Sequence, residues 1–81
     1  MHELSLAIRI VEIAEEELVK HGGGRVLTTF LKLGAMANVS RDALLFSYPA
    51  ACEGTQLEGS TLSIQEISDG NDLHVVALEV E

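Results

Sequence analysis

Apolar residues recur at Leu4, Ala7, Ile8, Val11, Ala14 and Leu18, which are the steps of one helical face. Ser5, Arg9, Glu12, Glu16 and Lys20 fill the opposite stripe. The pattern predicts a helix from Leu4 to about His21, with Glu16 and Lys20 in the favourable i,i+4 order and Lys20 and His21 suited to the dipole at its carboxyl end. Gly22, Gly23 and Gly24 stop it, because glycine readily takes the left-handed conformation of a C-cap. A second apolar row, Leu6, Ile10 and Ile13, sets this helix deep in the fold or gives it surface for a partner.

Arg25 to Leu33 is rich in β-branched and large apolar residues, with Leu27, Leu31 and Leu33 on one parity and Val26 and Phe30 on the other. It reads as a strand with both faces partly covered. Gly34 ends it. Ser40 is a suitable N-cap for a second helix, with Asp42 in the first turn and Leu44, Leu45, Tyr48 and Cys52 on the apolar side. Pro49 predicts an end or a kink there, since it has no N–H for the carbonyl of Leu45. Thr61 to Ile67 reads as a second strand with Leu62 and Ile64 inward, and Leu73 to Val80 as a third with Val76, Leu78 and Val80 on one face. Between them Ser68-Asp69-Gly70-Asn71-Asp72 has the chemistry of a tight turn. The expected fold is α+β in the order α-β-α-β-β, with two helices on one face of a three-stranded mixed sheet and the last two strands a hairpin. Phe30 and part of the third strand load the other face, which implies a partner surface such as a second copy of the chain.

Eighty-one residues suffice for one small domain, expected over 1–81. The composition is 47% hydrophobic and 22% charged, as in a folded globular chain. A formal charge of −8 repels phosphate backbones and anionic headgroups, which argues against nucleic acid and acidic membranes and for a cation or a basic protein face. The single Cys52 makes no internal disulfide and lacks the paired spacing of a thiolate zinc site, so a reducing compartment is expected. The amino terminus lacks the pattern of a signal peptide and no run approaches 18 apolar residues. A cytoplasmic location is the expectation.

No phosphate-binding glycine loop, nucleophile elbow or paired cysteines occur, and the three glycines follow a helix, not a strand. No nucleophile and base assemble from the residues present, so an enzyme is not expected. The chemistry stands at Met1-His2-Glu3. A free α-amine, the peptide nitrogen of His2 and the His2 Nδ1 close fused five- and six-membered chelate rings around one metal ion, and the Glu3 amide nitrogen or carboxylate completes four positions. A planar, nitrogen-rich set suits Ni(II) or Cu(II), not Ca or Mg, and copper binds the more strongly of the two. His21 reads as compensating the helix dipole, His74 as a residue beside a turn, Cys52 as a small buried hydrophobe and Glu15-Glu16-Glu17 as a solvated face.

Met1-His2-Glu3-Leu4-Ser5-Leu6, Leu31-Lys32-Leu33-Gly34-Ala35, Leu45-Phe46, Glu53-Gly54-Thr55, Leu57-Glu58-Gly59 and Leu62-Ser63-Ile64 together resemble the HypA/HybF nickel metallochaperones, over nearly the whole chain and in order. The resemblance implies delivery of nickel during maturation of nickel–iron hydrogenases, and in some bacteria of urease. It implies nickel held at Met1, His2 and Glu3, where the chelate argument also leads. It further implies a HypB-type GTPase and the hydrogenase large-subunit precursor as partners. Retention of Met1 is consistent with the bulky histidine that follows it. Members of that family carry a zinc-binding lobe on two Cys-x-x-Cys pairs between what are here the second and third strands. In this chain Ile67 runs through the Ser68–Asp72 turn into Leu73, so zinc is not expected and the lobe is absent between about 67 and 73. The alternative is an interaction module that docks a maturation GTPase or dimerises through the sheet face and the row Leu6, Ile10, Ile13, with incidental metal binding. The short hairpin also allows a homodimer formed by strand exchange.

Overall fold

The computed structural model describes residues 2–81, with the side chain of His2 outside the described set. The elements are α1 (His2–Lys20), β1 (Val26–Gly34), α2 (Arg41–Cys52), β2 (Thr61–Ile67) and β3 (Leu73–Val80). Helix α1 buries Ala7, Ile10, Val11, Ala14 and Leu18, with Leu6 packed against them, while Leu4 and Ile8 stay exposed. The buried arc is therefore rotated from the expected one: Ile10, placed in the second row, is fully buried. Its cause is position, because α1 lies beside α2 and over β3, and Leu4 and Ile8 fall on the flank of that contact. The glycine stop closes as expected. Gly22 N–H donates to Val19 and Gly23 N–H to Leu18, the paired bonds of a Schellman motif, with Gly22 at φ 99. Lys20 pairs with Glu17 at 3.4 Å, not with Glu16; Glu17 also lies 3.9 Å from His21.

The three-stranded sheet has the order β2-β1-β3. Strand β1 pairs in parallel with β2 and antiparallel with β3. The last two strands are consecutive in the chain and occupy the expected residues, but they do not form a hairpin: each pairs with β1. The Ser68–Asp72 link instead crosses the end of β1. Gly34 N–H donates to Asp72, Ala35 N–H to Ile67 and Met36 N–H to Gly70, so β1 supplies the bonds a hairpin turn would have kept to itself. Gly34 makes the crossing possible, since a Cβ there would lie against the Gly70 oxygen and 2.7 Å from its carbonyl carbon.

Two register shifts reset which side chains face the helices. Val26 pairs with Val80 and Thr28 with Glu79, whereas Phe30 pairs with Ala77 and Leu31 with Val75. Leu27 and then Val76 are therefore the extra residues of bulges, which flip the alternation. Val26, Thr29, Leu31 and Leu33 are all buried despite their mixed parity. On β3 it is Leu73, Val75 and Leu78 that pack on the core, while Val76 and Val80 are exposed. The sheet is thus covered on one face only. On the other, Phe30 is flanked by the exposed Ser63, and Lys32 by Gln65, so that face is more polar than expected.

Helix α2 starts where expected, the Ser40 hydroxyl accepting the Ala43 N–H at 3.2 Å. It runs through Pro49 to Cys52 instead of ending at the proline. Leu44, Tyr48 and Cys52 are buried on one face, and their packing outweighs the one hydrogen bond that Pro49 withholds from Leu45. Tyr48 OH meets Thr29 Oγ1 at 2.9 Å and Ser60 Oγ at 2.8 Å, which joins α2, β1 and the approach to β2. The residues after α2 are a tight connection: Thr55 Oγ1 donates to the Cys52 carbonyl and accepts from Leu57 N–H, and this seats the fully buried Leu57.

Candidate metal centre

The structure places Glu3 in the first turn of α1. Met1 lies outside the described residues, and so does the side chain of His2; the backbone of His2 opens the helix. The first N–H groups of any helix have no acceptor within it. The amide nitrogens of His2 and Glu3 are therefore at the one place in α1 where losing a proton breaks no helical hydrogen bond. A dication at a helix amino terminus meets the positive end of the dipole, but two deprotonated amides offset the charge of the ion they bind.

Glu3 is half-buried, and its Oε2 accepts the backbone N–H of Ser40 at 3.4 Å. It borders a hollow with Ala35, Asn38, Val39 and Ser40. Next to it, Leu6 shares a second hollow with Ala37, Asn38, Val39, Asn71 and Leu73. The start of α1, the start of α2, the end of β1 and the crossing link thus share one pole of the molecule. At the far end of the helices, the Val26 N–H, just past the glycine stop of α1, donates to the Gln56 carbonyl in the turn after α2. The two helices therefore lie side by side and point the same way.

The remaining candidates stay apart. His21 is exposed beyond the end of α1, and His74 is exposed with its Nε2 3.5 Å from Asp72. Among the described residues no three His, Cys, Asp or Glu side chains converge on a metal position. Burial pushes the Cys52 thiol up, with Glu15 adding to it against the opposing hydrogen bonds of Tyr48 and Ser60, so it stays protonated and unreactive near neutrality. The hydroxyl chain around Tyr48 escaped the sequence reading because its members come from three separate segments. The contact between Glu3 and Ser40 escaped it too; its only trace in sequence is Ala43, which leaves the cap of α2 incomplete. No helix of the described residues is long and apolar enough to cross a membrane.

A family model described as hydrogenase/urease nickel incorporation, metallochaperone, hypA matches residues 1–79. A hydrogenase maturation factor HypA of Roseiflexus sp. is 52% identical over 67 residues, covering 83% of this chain and 54% of that protein. The hydrogenase maturation factor HypA of Escherichia coli K12 is 38% identical over 66 residues, or 82% of this chain and 57% of that one. The chain spans little more than half the length of these curated relatives. The solution structure of a HypA protein superposes on all of this chain and 97% of its own with a TM-score of 0.76 at 14% identity, a likeness of fold.

Proposed function

The chain belongs to the HypA family of hydrogenase/urease nickel-incorporation metallochaperones, and from that premise we propose that it binds Ni(II) as cargo through the Met1 amine, His2 and Glu3. The observation that carries this reading is the position of His2 and Glu3 in the first turn of α1, where their amide nitrogens are free of the helix's own bonding. The family match from residue 1 supports it, as does the suitability of a planar nitrogen set for Ni(II). The molecule acts in the cytoplasm as a carrier, not a catalyst. A HypB-type GTPase and a hydrogenase large-subunit precursor are its partners, with urease the alternative recipient. Residues 1–81 are the nickel-binding domain, without the zinc-binding lobe.

Calorimetry of nickel binding on protein with a native amino terminus tests the site. Acetylation of the amine, or His2→Ala, is expected to weaken binding at least tenfold, and unchanged affinity would overturn the assignment. The amine, the imidazole and the amides all shed protons on binding, so affinity should already fall as pH drops below the unperturbed amine value of about 8 and fall more steeply below the histidine value of about 6.5.

A second reading, a docking module for the GTPase, keeps support from the exposed Leu4, Ile8 and Phe46. The row Leu6, Ile10, Ile13 no longer serves it, because Ile10 is fully buried.

A further inference from the structure

At the start of α2, the Ser40 hydroxyl caps the Ala43 N–H. In a capping box the residue at the position of Ala43 is Glu or Gln, and its side chain accepts the backbone N–H of the cap in return. Ala43 has no acceptor to offer. The Ser40 N–H is taken instead by Glu3 Oε2, at 3.4 Å, from another helix and 37 positions earlier in the chain. The carboxylate also lies where both helices begin, and both dipoles favour negative charge there.

We propose that the Glu3 side chain is a positioning group and not a metal ligand: it closes the capping box of α2 in trans and so fixes the metal-binding end of α1 against α2. This rests on the reading of the amino terminus as the nickel site, but its structural half is testable without metal. Glu3 enters the hollow bordered by Ala35, Asn38, Val39 and Ser40. A carboxylate drawn off to a metal ion would leave the Ser40 N–H without its acceptor. The Glu3 carboxylate therefore stays on Ser40 when the amino terminus is loaded, and the first turn of α2 keeps its cap.

The experiment is a double-mutant cycle on the full chain with a native amino terminus, read by thermal unfolding of the metal-free protein and by nickel calorimetry. Glu3→Ala should lower the melting temperature by about 4 °C, the scale on which modest losses register in a domain of this size. Ala43→Glu rebuilds the box within α2, so it should restore most of that loss in the Glu3→Ala background and add little to the parent. Additive effects, with no coupling between the two positions, would overturn the proposal. For nickel, Glu3→Ala should weaken binding severalfold. Glu3→Gln, which keeps an acceptor oxygen at the same place, should recover most of that loss, and Ala43→Glu should recover none. If Gln is as poor as Ala, the carboxylate is a ligand and the proposal falls. Should the parent bind no nickel at all, the nickel reading fails, and the metal-free cycle still decides the cap.

Discussion

Tyr48 stands where three parts of the chain meet, and its phenol is held between Thr29 and Ser60. Thr29 is fully buried, so Tyr48→Phe strips a partner from a group that has no water to replace it. The expected cost is about 1–2 kcal/mol by urea denaturation. The same measurement across pH carries a second signature. Burial pushes both the phenol of Tyr48 and the thiol of Cys52 upward, so the unfolded chain releases these protons first. The stability is present in full below the unfolded thiol value of about 8.5 and is lost as pH rises above it. Tyr48→Phe should make the alkaline loss shallower; an unchanged slope would show that the phenol does not contribute. At this scale, what could be read from sequence was contiguous chemistry. The chelate proposed for Met1-His2-Glu3 could be argued from sequence because its atoms are neighbours in the chain. The hydroxyl chain, by contrast, exists only once β1, α2 and Ser60 have been brought together.

Each element was located in the sequence, but not all were correctly phased. β2 and β3 fall on the residues their alternation predicts. Burial on β1 and β3 departs from simple alternation at Leu27 and Val76, because a bulge is set by how two strands fit and leaves no mark in either one alone. Pro49 teaches the converse. It is a strong local stop signal, and α2 continues through it because Tyr48 and Cys52 are anchored on either side. Removing the conflict should therefore stabilise the fold. Pro49→Ala returns a donor to the Leu45 carbonyl, and a gain of about 2 kcal/mol is expected after the larger freedom of the unfolded chain is subtracted. A loss on denaturation would mean that the helix depends on the backbone angle the proline ring fixes.

For the molecule as a whole, turn-forming residues implied a hairpin, and the structure uses them to step over a strand. Residues such as Gly70 and Asn71 are suited to both, and what selects the crossing is Gly34, whose missing side chain leaves room for the link. The strand ends at Ile67 and Leu73 stand on either side of β1 at the same pole as Glu3. A longer insertion in the link would rise from that pole. Lengthening it between Ser68 and Asp69 spares the carbonyls of Gly70 and Asp72 that hold the end of β1. Doubling the link with glycine and serine should then cost only about 0.6 kcal/mol; a loss of several kcal/mol would show that its length is part of the fold.

The opposite pole has its own use. Glu81 N–H donates to the Arg25 carbonyl just past the glycine stop of α1, and the molecule measures 34 Å along its longest axis. Residues appended after Glu81 therefore depart from the end remote from His2. The protein can be tethered there, to a bead, a dye or a second domain, at the pole opposite the one where α1 begins.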